Sequence, residues 1–149
     1  MEPRPDPRGP GDRLARAALW TFGLVVVGWG LSGVLAPEVW LHHPLLLGLP
    51  PVDPARRPTF LNELRFLEAR ELGVGIMAIG LRDAILTQRR ANLVFLLAVF
   101  AAPASRALAC ARDGLPSPAW LAFMASEIAM AVALAVLTRD ARRAPDPRA

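Results

Sequence analysis

Lysine and tyrosine are absent from the 149-residue sequence, which contains only one cysteine and two histidines. The single cysteine, Cys110, cannot form an intramolecular disulfide, and within its apolar segment it is expected to pack as a small hydrophobic residue. His42 and His43 are adjacent, so their side chains point apart on a helix or strand, and no second cysteine or third histidine could complete a zinc site. No glycine-rich phosphate-binding motif follows a strand. We therefore expect neither a metal site nor a cofactor.

Because lysine is absent, all 17 basic residues are arginines, and together with 13 acidic residues they give a net charge of +4. A basic protein could bind nucleic acid, but these arginines flank hydrophobic runs and form no element that reads a groove. Apolar residues make up 54% of the chain, and the charged residues lie mostly at the ends of long apolar stretches. A soluble domain mixes the two kinds along each helix. The sequence therefore excludes a nucleic-acid-binding domain and predicts a membrane protein with membrane lipids as partners.

Apolar segments long enough to cross a bilayer, which takes about 20 residues, recur along the chain. The predicted fold is all-α, a four-helix transmembrane bundle with up-down topology that occupies residues 13–138. Pro37 ends the first span and Pro118 starts the last. The four spans are expected at about residues 14–36, 60–86, 91–112 and 118–138.

Small residues in the first and last spans permit close packing of helices, either within the chain or in a homo-oligomer. These residues are Gly23, Gly28, Gly30, Gly33, Ala125, Ala129 and Ala133.

The distribution of arginine predicts the orientation in the membrane. Residues 1–12 and 139–149 are rich in proline and charge, and they are expected to be disordered. In a four-span topology both of these arginine-bearing segments lie on the same side as Arg89 and Arg90, whereas fewer arginines lie on the other side. The positive-inside rule therefore places both termini in the cytoplasm, for a multi-pass protein of the bacterial inner membrane.

Glu127 lies at the middle of the last span, where a carboxylate is costly and usually faces a partner, a cavity or a proton path. Arg106 lies in the later half of the third span, and the first half of the second span is rich in charge. In the predicted topology all of these groups face the outer half of the bundle. An arginine stays protonated there, so a carboxylate or a ligand must compensate it.

Helical spacing of about 100° per residue indicates which of these side chains share a face. We predict a buried network of Arg70, Glu71, Arg106 and Glu127, whereas Arg65 and Glu68 are expected to pair with each other on another face. The candidate catalytic residues are Glu127, Glu71 and Glu63. The candidate ligand-binding residues are Arg70, Arg106, Asp113, Leu67, Trp120 and Phe123.

Three features resemble a group of small four-span bacterial membrane proteins classed as a domain of unknown function. The first runs from Asn62-Glu63-Leu64-Arg65 through Arg70-Glu71-Leu72-Gly73, the second is Arg106 followed by Asp113-Gly114-Leu115-Pro116, and the third is Glu127. The resemblance covers residues 23–137. It implies a four-helix membrane bundle with these polar positions inside, and it implies no established activity.

Two functions fit these residues better than a third, a proton-coupled transporter built as an oligomer, for which no inverted repeat is evident. In the first, the bundle binds or transforms a small lipophilic molecule, and any catalysis is cofactor-independent acid–base isomerisation or cyclisation with Glu127 as the acid and Glu71 or Glu63 as the base. Arg70 or Arg106 would then stabilise charge. In the second, the protein is a structural or accessory membrane subunit, and the charged cluster is a clamp that holds the helices together.

Overall fold

The structure, a computed structural model, describes residues 10–42 and 52–143, and these residues form helices without a β-strand. The all-α prediction is confirmed for this part of the chain. The helices are α1 (Pro10–Leu35), α2 (Pro37–Trp40), α3 (Arg57–Gly80), α4 (Arg82–Thr87), α5 (Arg89–Asp113), α6 (Pro118–Leu137) and α7 (Arg139–Arg143).

Proline and glycine set most of the helix boundaries. Helix α1 ends at Leu35, two residues before Pro37, and Pro118 is the first residue of α6. Gly114 ends α5 with φ of 97°, a backbone conformation that favours glycine because it has no Cβ. The predicted second span is not one helix, because the chain bends at Leu81 between α3 and α4.

Three helices within the described residues are long and apolar enough to cross a membrane, judged by length and composition: Gly11–Leu35, Arg89–Asp113 and Pro118–Leu137. They correspond to the first, third and fourth predicted spans. Helix α3 corresponds to the second but fails the same criterion, because charged residues crowd its first half. The protein is therefore a helical bundle with three candidate membrane spans.

Helix α1 packs mainly along α3, and glycines bring the two backbones together. A Cβ atom on Gly30 would lie 2.6 Å from the Leu72 backbone nitrogen, and one on Gly75 would lie 2.9 Å from the Gly23 carbonyl oxygen. Such distances leave no room for a side chain at either position. Gly28 has no atom near its Cβ position, so it does not contribute to this interface.

The hydrophobic core lies toward the end of the bundle formed by α4 and α7, which we call the α4 end. Its buried members come from α1, α3, α4, α5 and α6, and Phe22 contacts Phe95 edge-on with ring centroids 6.0 Å apart. The opposite end, formed by α2 and the start of α3, is called the α2 end. The fully buried core side chains include Leu19, Ala78, Ile85, Phe95, Ala131 and Leu134.

A polar network closes the α4 end. The buried Asn92 side chain donates to the Ile85 carbonyl (3.0 Å) and accepts from Arg142 Nη1 (3.0 Å). Arg142 Nη2 also donates to the Ala135 carbonyl of α6 (2.6 Å). One guanidinium thereby joins α7 to α5 and α6. Helix α7 lies within residues 139–149, for which the sequence predicts a disordered tail, and residues 144–149 lie outside the described part of the chain.

Replacing Arg142 with alanine should lower the free energy of unfolding by about 1–2 kcal/mol, because the buried side-chain oxygen of Asn92 would lose its charged hydrogen-bond donor. Arg139→Ala is the matched control, since Arg139 is exposed and, within the described residues, its ion pair is with the adjacent Asp140 (3.8 Å). Thermal unfolding in detergent measures both variants. Equal stability of the two variants would show that Arg142 does not hold α7 in place.

Candidate functional site

Arg106 and Glu127 form an ion pair between α5 and α6. Arg106 Nε lies 2.8 Å from Glu127 Oε2, and Nη2 lies 3.4 Å from Oε1, so the guanidinium donates to both carboxylate oxygens. The guanidinium also lies over two aromatic rings of α6, 4.8 Å from the Trp120 centroid and 5.2 Å from the Phe123 centroid. Such contacts suit arginine, which is planar and weakly hydrated.

Helical spacing explains why the three α6 residues of this site lie together. Trp120, Phe123 and Glu127 recur at three- and four-residue spacing on α6, so they share a face. The predicted pairing of Arg106 with Glu127 is confirmed. The sequence predicted that this pair is buried. In the structure it is only partly buried, because the side chains of Arg106 and Glu127 are 35% and 21% exposed.

Aromatic contacts extend this cluster to the other helices. Trp29 of α1 stacks on Phe123 with ring centroids 5.6 Å apart, and the Trp29 and Trp40 rings also lie close, with centroids 4.3 Å apart. The Trp29 side chain also donates a hydrogen bond to the Glu68 carboxylate of α3. We call Trp29, Glu68, Arg106, Trp120, Phe123 and Glu127 the polar–aromatic cluster.

Glu68 is the most deeply buried carboxylate of the described residues, with 8% of its surface exposed. It fits against α1 because Gly33 has no side chain, and a Cβ there would lie 2.1 Å from the Glu68 Cγ. Its Oε2 atom is buried and has no hydrogen-bond partner within the part of the chain that the structure describes. An unsatisfied buried carboxylate oxygen costs free energy, so this position is maintained against a penalty.

Glu71 links the cluster to a cavity. It lies near both Glu68 and Glu127. It also lines a cavity of about 340 Å³ between α3 and α5. The cavity opens at the surface of the bundle, since several of its lining residues are exposed. The lining residues are Arg70, Glu71, Gly73, Val74, Met77, Ala98, Ala101 and Ala102.

The structure separates the remaining candidates from this cluster. Glu63, Leu67 and Asp113 are exposed, and in the described residues no hydrogen bond or ion pair joins the two carboxylates to it. The prediction that Arg65 pairs with Glu68 is wrong. Arg65 Nη2 lies 3.9 Å from Glu38 Oε1 of α2, while Glu68 points toward α1. Arg70 is exposed on the cavity wall and is not part of a buried network.

Sequence reasoning missed Glu68 and Trp29. The signal for Glu68 is the spacing of Leu61, Glu68 and Gly75, which recur at seven residues and are all buried on one side of α3. Seven residues make about two helical turns, so they lie on the same face. Charged residues also lie on the other faces of the first part of α3, so the sequence pattern does not single out this buried stripe.

No group of three His, Cys, Asp or Glu residues within the described ranges is arranged to hold a metal ion. His42 is exposed, and His43 lies outside the described residues.

A family model with the description "Domain of unknown function (DUF4345)" matches residues 14–138, and the chain therefore belongs to that family. No curated protein and no solved structure matches the chain significantly.

Proposed function

We propose that this member of the family is a four-span membrane protein that binds a small lipophilic molecule in the cavity between α3 and α5. The observation that carries the proposal is the layout of that cavity. Arg70 and Glu71 form its wall toward the α2 end, whereas Val74, Met77 and Ala98 line it toward the α4 end. A cavity that is polar at one end and apolar at the other suits an amphiphile.

The topology of the proposal rests on α3 crossing the membrane with the other helices. Its 24 residues measure about 36 Å at 1.5 Å per residue, enough for a hydrocarbon core of about 30 Å. It is in contact with the membrane-length helix α1 from Gly23 to Gly33. Arginine is more frequent at the α4 end, which favours a cytoplasmic location for this end and for both termini. The cavity's polar wall then faces the outer leaflet of a bacterial inner membrane.

Acid–base catalysis on a bound molecule would fall to Glu71. It is the carboxylate that lines the cavity, whereas Glu127 is held by Arg106 through two hydrogen bonds and Glu63 is exposed elsewhere on α3. A general acid or base must lie within hydrogen-bond reach of its substrate. Binding is the function that the geometry supports best, and isomerisation or cyclisation would follow from it through Glu71.

Filling the cavity tests the binding proposal. Ala101→Phe places a ring in the cavity from an exposed position, so it should reduce bound lipophilic ligand about tenfold or more while unfolding stays within about 0.5 kcal/mol of the unsubstituted protein. Native mass spectrometry of protein purified from membranes measures the ligand, and thermal unfolding measures stability.

Ala109→Phe is the matched control, because Ala109 is exposed on the same helix and does not line the cavity. Equal ligand retention by the two variants, or no bound lipophile in the unsubstituted protein, would contradict binding at this cavity.

The geometry of the Arg106–Glu127 pair favours a second function, that of a structural or accessory subunit whose cluster clamps the helices. A bidentate arginine that also contacts two aromatic rings can stabilise helix packing without any ligand. The exposed Ala125, Ala129 and Ala133 on α6 would then contact a partner helix or another copy of the chain. An Arg106→Gln variant that unfolds, in a protein that never retains a lipophile, is the result this alternative requires.

A further inference from the structure

Charge is distributed unevenly between the two ends of the bundle. Among the described residues, four arginines balance four carboxylates at the α2 end, whereas eight arginines face three aspartates at the α4 end, a net charge of +5. An end with this excess attracts anions, and the anions at a membrane surface are lipid head groups. The charged residues of the α4 end are Asp12, Arg13, Arg16, Arg82, Asp83, Arg89, Arg90, Arg139, Asp140, Arg142 and Arg143; those of the α2 end are Glu38, Asp53, Arg56, Arg57, Glu63, Arg65, Arg112 and Asp113.

The three aspartates of the α4 end already have arginine partners. Arg16 donates from Nε to Asp12 Oδ2 (3.1 Å) and from Nη1 to Asp83 Oδ1, and Arg139 Nε lies 3.8 Å from Asp140 Oδ1. These carboxylates are therefore compensated within the protein, and a cation has little to gain from them. The charge that remains at this end is positive.

Arg82 of α4 is the arginine of this end whose surroundings resemble a binding site for an anion. Its guanidinium lies over the Trp20 ring of α1, 5.2 Å from the centroid. Its Nε atom is buried and has no hydrogen-bond partner in the described part of the chain. The nearest described carboxylate oxygen, Asp83 Oδ1, lies 3.7 Å from Nε, beyond hydrogen-bond distance, and accepts from Arg16 instead.

The contact with Trp20 covers one flat face of the guanidinium and leaves its edge for an acceptor. Arginine presents its N–H donors along that edge, in a geometry that matches two oxygens of a phosphate. A guanidinium that is partly removed from water and lacks a short hydrogen bond to a carboxylate gains most from such an acceptor. The side chain is partly exposed, so an outside group can reach it.

Apolar side chains lie next to this guanidinium on the outside of the bundle. Trp20 is exposed, Leu24 is exposed one helical turn further into α1, and the exposed Leu81 directly precedes Arg82. Tryptophan is typical of the membrane–water boundary, and exposed leucines below it face acyl chains. An anionic head and an acyl chain can therefore be held at the same place.

We propose that Arg82 and Trp20 form a binding site for the phosphate of an anionic phospholipid at the α4 end. The site goes beyond the proposed function, since it shares no residue with the cavity between α3 and α5 and neither requires the other. In the proposed topology this end faces the cytoplasmic leaflet, whose surface is negative.

The test compares two lipids with the same acyl chains in nonionic detergent: phosphatidylglycerol, which is anionic, and phosphatidylcholine, which is zwitterionic. Native mass spectrometry gives the bound fraction of each. Phosphatidylglycerol should bind about fivefold more tightly or better, the factor expected for one arginine at an anionic lipid surface. Inorganic phosphate should not displace it, because the acyl chains contribute to binding.

Variants assign the preference to this site. Arg82→Gln should reduce the affinity for phosphatidylglycerol about fivefold and remove most of its advantage over phosphatidylcholine. Arg139→Gln is the matched control, because it removes the same charge from an exposed position at the same end and should keep most of the advantage. If Arg82→Gln does not fold, Trp20→Leu replaces it: Trp20 is exposed, and its loss should weaken the preference by removing the support of the guanidinium.

Three outcomes would overturn the proposal. Equal binding of the two lipids would show that this end does not select an anionic head. Equal losses in Arg82→Gln and Arg139→Gln, or an unchanged preference in Trp20→Leu, would show a diffuse attraction to net charge without a site at Arg82. Displacement of phosphatidylglycerol by inorganic phosphate would identify a site for free phosphate. None of these results bears on the cavity, whose own test is the retention of a lipophile by Ala101→Phe.

Discussion

Replacing Gly30 with alanine will destabilise the protein by about 3 kcal/mol, the upper part of the usual range for an overpacked interior. The added Cβ would lie 2.6 Å from the Leu72 backbone nitrogen and 2.7 Å from the Glu68 carbonyl oxygen. Backbone atoms cannot rotate away as a flexible side chain can, so α1 and α3 must separate. Thermal or denaturant-induced unfolding in detergent measures the loss.

Gly28→Ala is the matched control on the same helix, two residues earlier. Nothing lies within 4 Å of its Cβ position, so the substitution should be neutral or should stabilise the helix by up to about 1 kcal/mol. The two substitutions are chemically identical, yet their free energies of unfolding are expected to differ by about 3 kcal/mol or more. Equal stability of the two variants would show that α1 and α3 do not approach one another as the structure describes.

Arg106→Gln and Glu127→Gln should each lower the free energy of unfolding by about 2 kcal/mol, because each leaves a charge of a partly buried, doubly hydrogen-bonded pair without its partner. The double variant should lose less than the sum of the two, since it leaves no unpaired charge. The expected coupling energy is about 1–2 kcal/mol, and a double-mutant cycle on thermal unfolding measures it.

The ion pair of Arg65 with Glu38 provides the control cycle. Its closest atoms are 3.9 Å apart and its side chains are 45% and 52% exposed. An exposed pair of this kind contributes about 0.5 kcal/mol or less. A coupling energy for Arg106 and Glu127 no larger than this would mean that the pair does not hold α5 to α6, and the clamp alternative would lose its support.

Much of the fold follows from local sequence. Long apolar runs predict the first, third and fourth long helices, and Pro37 and Pro118 mark boundaries within one or two residues of those in the structure. The pairing of Arg106 with Glu127 also follows, because two opposite charges inside apolar helices are costly apart and stable together. Trp120 and Phe123 join the site through helical spacing alone.

The second predicted span is less well determined because charged residues occur on several of its faces. Periodicity then does not identify which face turns inward, and the sequence placed Glu71 on the inner stripe and Glu68 outside it. The structure turns Glu68 inward, at 8% exposure, and leaves Arg70 at the surface. The bend at Leu81 was also missed, since no proline marks it.

The sequence by itself determined that the chain forms apolar helices, where most of them begin and end, and that its charges must compensate one another. Those properties depend on residues close together along the chain and on the cost of a charge in an apolar setting. The tertiary structure decided which carboxylate is buried, which one lines a cavity, and that Arg142 joins α7 to Asn92. These depend on contacts such as Gly33 with Glu68, where the absence of a side chain on one helix makes room for a side chain of another.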